Sequence, residues 1–311
     1  MTTPSTVVIS GASGLLGRAL TAALLADGVA VAHLVRSTTP APGDVRVSQV
    51  TWNPTSGSID LEGLNALGPI AAVVNLSGAG IADRRWTDAR RAEIRSSRLA
   101  TTALLASSIK ELAAAPGVFL SGSAIGIYGD RGDEVLDETS EPGTGFLAQL
   151  CEDWEAAADP ASSTTRVVTL RTGIVLSGDG GALGKQLTIF KLGLGGKLDT
   201  GQQWVSWIDV ADWVAAVRWC IATTSLEGPV NLVAPGAVRN VALTKALASA
   251  VHRPHLATAP RLALELALGR PVANEVLLAS QRVTPSVLEA SGFSFEVTAL
   301  EDSIARALTS H

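Results

Sequence analysis

The residues of this chain best placed to do chemistry are three glycines. In SGASGLLGRAL (10–20), Gly11, Gly14 and Gly17 stand three apart, directly after the apolar, β-branched run TVVIS (6–10). Such a turn lets the chain leave a strand tightly, lets backbone amides approach a pyrophosphate, and lets the next helix sit close on the sheet. The start of that helix adds unpaired N–H groups and a partial positive charge. Ser13, Leu15 and Leu16 lie in the same turn and are expected to contact the phosphates with the glycines. Spacing alone is weak: a chain with 30 glycines in 311 residues holds about 0.3 such matches by chance. Gly126-Gly129-Gly132 and Gly178-Gly181-Gly184 match as well. Only the first match emerges from an N-terminal strand, opens a long apolar-faced helix and is followed by a second strand. The other two read as loops.

The end of the second strand selects the cofactor. A site for NAD places Asp or Glu there to hold the ribose 2′-hydroxyl. Between Asp27 and Asp44 there is no acid, and LVRS presents Arg36 and Ser37 instead. A guanidinium can grip a 2′-phosphate through two hydrogen bonds, and a neighbouring hydroxyl can add another. NADP(H) is therefore the expected cofactor, against the plainer reading of Arg36 as a surface arginine.

Short β-rich runs alternate with helical ones to position these groups. TVVIS (6–10), VAVAHLVR (29–36), VRVSQVTW (45–52), IAAVVNLS (70–77), GVFLSGS (117–123) and RVVTLRTG (166–173) read as strands. Helices are expected over 17–28, 86–113 and 144–158, and EGPVNLV (227–233) could add a last strand. Near-continuous apolar strands interleaved with helices imply a parallel sheet covered on both faces. Right-handed crossovers then make it a Rossmann-type, doubly wound α/β fold. Residues 1–172 and 203–234 are assigned to the dinucleotide-binding domain. Residues 173–202 and 235–311, glycine-rich and then mostly helical, form a smaller substrate or cap portion expected to close over the sheet's carboxyl edge. That edge also receives Leu76, Ser77 and Gly78 of NLSG, expected near a nicotinamide ribose, and Ser121 and Ser123 of LSGS.

Composition narrows the partners. Net charge is −5, and no Lys/Arg cluster is long enough to track a phosphate backbone, so nucleic acid is not expected. RRWTDARRAEIRSSR (84–98) is the most basic stretch. Its arginines interleave with Asp88 and Glu93 on a helix, which reads first as a solvated face and second as an anion contact. Cys151 and Cys220 sit among apolar residues and read as buried thiols rather than a disulfide. His33, His252, His255 and His311 make no metal-ligand spacing, so no metal is expected. With no cationic leader and no apolar run of membrane-spanning length, a cytoplasmic protein off the membrane is expected. Trp86, Trp204 and Trp207 could wall a pocket or join the core, whereas Trp154, Trp213 and Trp219 have core spacing.

Taken together, SGASGLLG (10–17), VVNLSGAGIADRRWT (73–87), SSRLATTALL (96–105), LSGSAIGIYGD (120–130), FLAQLCEDWEAAA (146–158), LRTGIVLSGDGGAL (170–183), VSWIDVADW (205–213) and the tail HRPHLATAPRLALELALG…QRVTPSVLEASGFSF carry a resemblance. The chain resembles extended short-chain dehydrogenases/reductases, above all an atypical subgroup of sugar-nucleotide epimerase-like proteins with a C-terminal domain of unknown function. The resemblance implies bound NADP(H) and a small-molecule substrate between sheet and cap; a homodimer is compatible with it. It implies that Ser123 hydrogen-bonds a substrate oxygen, with Ser121 as a cofactor contact; either hydroxyl could instead merely satisfy strand-end backbone. It also exposes departures. An acid is expected after the NLxG turn, where this chain has Ala79 and Gly80. Such enzymes use a tyrosine as proton donor or acceptor, with a lysine four residues on that lowers its pKa and holds the ribose. Those places hold Phe146 and Leu150. Tyr128, the single tyrosine, could take the proton role from the preceding loop or be structural. Glu155, nine residues from Phe146, is expected to point elsewhere. Two readings stay open: an NADP(H)-dependent oxidoreductase or epimerase-like enzyme without the usual dyad, and a non-catalytic NADP(H) sensor or partner-binding protein.

Overall fold

The apolar runs at 6–10, 70–75 and 118–124 become neighbouring central strands because each has both faces to bury. The computed structural model describes residues 5–37, 44–255 and 257–309, with the backbone only at 182 and 185. β1 (Thr6–Ser10) leads through the glycine turn into α1 (Leu15–Ala26), followed by β2 (Ala30–Val35), β3 (Val47–Asn53), β4 (Ser58–Ile59), α2 (Leu61–Ala66) and β5 (Ile70–Asn75). Next come α3 (Asp88–Glu111), β6 (Val118–Ala124), a 3-10 turn over Ile125–Tyr128, β7 (Val135–Leu136), α4 (Phe146–Ala156) and β8 (Arg166–Thr172). Beyond these lie β9 (Ile174–Leu176), α5 (Gly181–Lys191), β10 (Gly196–Leu198), β11 (Trp204–Val205), β12 (Trp207–Asp209), α6 (Val210–Ala222) and β13 (Gly228–Leu232). The tail holds β14 (Val238–Arg239), α7 (Asn240–Ala250), β15 (Ala257–Ala259), α8 (Arg261–Leu268), α9 (Arg270–Val272), β16 (Arg282–Val283), α10 (Ser286–Ala290) and α11 (Leu300–Thr309).

The main sheet runs β13-β8-β6-β5-β1-β2-β3-β4. Its pairs are parallel except β3 with β4. The chain starts in the middle at β1, winds outward through β2 and β3, then returns to build β5, β6, β8 and β13 on the other side. This is the expected doubly wound α/β fold, and the order reverses between β1 and β5, where such sheets bind ligands at their carboxyl edge. Leu20 and Leu24 of α1 and Trp213 and Val217 of α6 pack on one face with Val7, Ile9 and Val74. Leu105, Ala106 and Ile109 of α3 cover the other face with Val8, Val73 and Phe119.

A second cluster joins β9, α5, β12, α7 and α11 around Trp207, Phe190, Leu247 and Ile304. Here the expectation for the third glycine match is corrected. SGDGGALG is not merely a loop: it carries β9 into α5, and β12 then pairs parallel with β9. Strands of three residues are too short to show a period, and GLGGK hid the return. Trp207 is a core residue, 1% exposed. The tail reaches the sheet's carboxyl edge in two places: Glu275 accepts from the Leu147 amide at 2.8 Å, and Arg85 donates to the carbonyls of Leu266 and Ala267. Leu288, Phe293 and Phe295, by contrast, pack with the α1–α6 face. Among the described residues no helix is long and apolar enough to cross a membrane, and no metal-binding cluster of His, Cys, Asp and Glu occurs.

Candidate functional site at the ends of β1, β5 and β6

The glycine turn is built as its spacing requires. Gly11 has φ +71°, and a Cβ there would lie 2.7 Å from the Leu76 carbonyl at the end of β5. A Cβ on Gly17 would lie 2.4 Å from the Gly11 carbonyl oxygen, so only glycine lets α1 sit this close to the turn. Gly14 is the N-cap of α1 and supplies no side-chain cap. The first amides of α1, at Leu15, Leu16 and Gly17, thus lack intrahelical acceptors beside an exposed Ser13 and Gly14. These features fit a pyrophosphate. Arg36 and Ser37 are exposed just beyond β2, on the same carboxyl edge.

Across the switch point, Asn75 ties the parts together. Its Oδ1 accepts from Ser10 Oγ at 2.6 Å and the Ser77 amide at 3.2 Å, while its Nδ2 donates to Thr102 Oγ1 at 2.8 Å. One amide side chain therefore joins β1, the Leu76–Ser77–Gly78 turn and α3. It was missed as a functional residue, although a polar residue ending the run IAAVV was a usable signal. At Gly80, where the resemblance leads one to expect an acid, Asp83 is crowded in, its carboxylate oxygen 1.9 Å from where a Cβ would be.

Ser123 is 5% exposed and donates from Oγ to Glu155 Oε1 at 2.6 Å. Glu155 also holds Arg171, which donates from Nε to Oε1 and from Nη2 to Oε2, both at 2.9 Å. The expectation that Glu155 points away from the site is thus corrected. Its angle was judged from Phe146 alone, but α4 packs against β6 and β8 as well as α3. Arg171 Nη1 reaches Tyr128 OH at 3.0 Å, and Tyr128 donates to Asn231 Oδ1 at 2.8 Å. Tyr128 is 0% exposed, and burial raises its pKa. Its hydroxyl is committed to Arg171 and Asn231 with no open surface, which favours the structural of its two readings. Ser121, at the end of β6, has its hydroxyl buried without a hydrogen-bond partner.

Glu138 closes this network. Its Oε1 accepts from the amides of Asn231 at 2.9 Å and Val287 at 3.3 Å, and its Oε2 is buried without a partner. Burial raises its pKa above the ordinary 4.5. The folded chain then keeps a proton that the unfolded chain releases, so stability falls as pH rises from about 4.5 through the raised value. Glu138→Gln should therefore melt higher than the wild type at about pH 7, with the difference vanishing near pH 4. Thermal melts across that range check it.

Phe146 and Leu150, which the resemblance sets against the dyad, are packed in hydrocarbon. Phe146 packs edge-on against Trp86 with ring centroids 5.1 Å apart, and Leu150 is 2% exposed in a cluster with Trp86, Ile94 and Val272. Cys151 is no substitute nucleophile, since burial pushes its thiol up to about 12. The basic stretch departs from its first reading as a solvated face. Arg90 is 6% exposed and donates to Glu93 and to the Gly80 carbonyl. Arg98 lies over the Trp154 ring, its Cζ 5.0 Å from the centroid.

The model of the NAD-dependent epimerase/dehydratase family matches residues 7–233. The chain belongs to that family. A model for a domain of unknown function matches residues 259–307, within the helical tail of this epimerase-family chain. An epimerase family protein of Mycobacterium bovis is 43% identical over 304 residues, 97% of each chain. The crystal structure of the human epimerase family protein SDR39U1 (isoform 2) with NADPH superposes with a TM-score of 0.86 at 30% identity, covering 98% of this chain and 100% of that one. A nucleoside-diphosphate sugar epimerase from Corynebacterium glutamicum has a TM-score of 0.78 at 38% identity, covering 98% of this chain and 58% of that one.

Proposed function

We propose that this family member binds NADP(H) across the β1–β5 crevice and acts as an oxidoreductase or epimerase-like enzyme on a small molecule, without a Tyr–Lys dyad. The observation that carries the reading is the glycine turn. Gly11 and Gly17 are packed too closely for any side chain, and they hold the uncapped start of α1 open beside the Asn75-anchored turn. The human relative with NADPH supports the choice of cofactor. Arg36 and Ser37 would take the 2′-phosphate, the amides of α1 the pyrophosphate, and Leu76, Ser77 and Gly78 the distal ribose. A bound NADPH supplies a hydride donor. Ser123, whose proton Glu155 holds in this structure, would accept from a substrate hydroxyl or turn that proton to a substrate carbonyl oxygen, with Arg171 fixing Glu155 from the other side. With Phe146 and Leu150 in place of the tyrosine and lysine, the proton comes from solvent or from the substrate itself.

The test is absorbance decay of NADPH over a panel of carbonyl compounds and quinones. Ser123→Ala should lower any observed turnover about tenfold or more, the worth of one lost hydrogen bond, while NADPH still binds. A second reading has its own observation. The tight hydrocarbon packing at Phe146 and Leu150 suits a protein that binds NADP(H) without turnover and reports its redox state. Binding with no oxidation across the panel selects that reading.

A further inference from the structure

Leu150 stands where the resemblance sets a lysine, and another element brings a cation to the turn after β5. Arg98 lies on α3 and leans toward the turn that follows β5. A Cβ on Gly78 would lie 3.0 Å from its Cζ, and its Nη1 donates to the carbonyls of Ala79 at 2.9 Å and Ile94 at 3.1 Å. The guanidinium rests on the Trp154 ring, one helical turn beyond Leu150 on α4. Among the described residues it has no carboxylate partner, and its Nε and Nη2 donate to nothing in the protein without being sealed from solvent. Of its neighbours on α3, Arg90 meets Glu93 and Arg95 meets Asp153, whereas Arg91 lies over the Phe146 ring. Burial lowers its pKa, the mark of a cation held without compensation. A half-buried guanidinium with no carboxylate partner and two donors open to solvent keeps its charge and those donors available to a ligand.

We propose that Arg98 supplies the cation of the nicotinamide end of this site, in place of the lysine absent at Leu150, and thereby makes the site prefer the neutral reduced ring of NADPH over the cationic ring of NADP+. The proposal rests on the cofactor reading above and adds the residue that sets redox-state preference. Its free N–H groups are placed for ribose hydroxyls, and its charge repels the oxidised ring in a partly dehydrated setting where such effects are large.

The experiment is equilibrium titration, without turnover, of wild type, Arg98→Met and Arg98→Lys with NADPH, NADP+ and adenosine 2′,5′-bisphosphate, which lacks the nicotinamide half. Wild type should prefer NADPH to NADP+. Arg98→Met should lose that preference by about tenfold with unchanged affinity for the bisphosphate, and Arg98→Lys should retain it. An Arg98→Met protein with the wild-type ratio of NADPH to NADP+ affinities would overturn the proposal. If Arg98→Met also lost the bisphosphate through misfolding, Arg98→Gln, which keeps a donor for Ala79, carries the same comparison with the same deciding ratio. Wild type that bound neither NADPH nor the bisphosphate would overturn the cofactor reading itself, and this inference with it.

Discussion

Replacing Arg171 by methionine is expected to lower the unfolding free energy by about 3–5 kcal/mol, the cost of leaving one member of a buried ion pair without the other. Arg171 is 7% exposed and binds both oxygens of Glu155, the hydroxyl of Tyr128 and the carbonyl of Glu138. Its loss strands the Glu155 carboxylate between β6, β8 and α4 with only Ser123 to donate to it. The pair is not expected to be worth that much in itself. A double variant with Glu155→Leu should recover most of the deficit, because well-packed hydrocarbon often replaces a buried pair without loss. Urea denaturation of both single variants and the double variant closes the cycle. A loss below about 1 kcal/mol in Arg171→Met would show that the pair behaves as a surface contact.

Gly17→Val is the second large effect. A Cβ at position 17 would lie 2.4 Å from the Gly11 carbonyl oxygen and 2.6 Å from Ala12 Cα. Both are backbone atoms and neither can swing aside, so α1 must retreat from the turn. Overpacking of this kind costs about 1–3 kcal/mol of stability. The amides that would meet the phosphates move with the helix, and a displacement on the order of 1 Å in a positioned constellation costs about 10²-fold. NADPH affinity should fall by at least that factor while the far-ultraviolet circular dichroism stays native. Unaltered affinity would mean that the phosphates bind elsewhere.

The fold was legible because its central strands are apolar on both faces and several helices, α1 and α8 among them, run into a glycine. TVVIS and IAAVVN could only be central strands, and the reversal of order between them follows from right-handed crossovers. The glycine turn was legible for a steric reason, since each of its glycines faces backbone. What could not be read depends on how α4 is clasped. Counting residues from Phe146 turns Glu155 away from the site, but its carboxylate meets Ser123 on β6 and Arg171 on β8. In the same way, alternating charges on α3 look solvated until α4 and the Gly78 turn enclose Arg90 and Arg98. Tyr128 drew notice as the lone tyrosine, yet its role is set by Asn231 and Arg171, which are distant in sequence and adjacent only through the pairing of β13 with β8. Register between neighbouring strands, not composition, decided these positions.

Calorimetric titration of the wild-type chain and of Arg36→Ala with NADPH and NADH addresses the binding of a phosphorylated dinucleotide at the start of α1 most directly. Saturable binding of NADPH, tighter than NADH by about 10–100-fold as expected for charge-assisted hydrogen bonds to a phosphate, with that advantage lost in Arg36→Ala, is the expected result. No heat of NADPH binding, or equal affinity for the two cofactors, would contradict it.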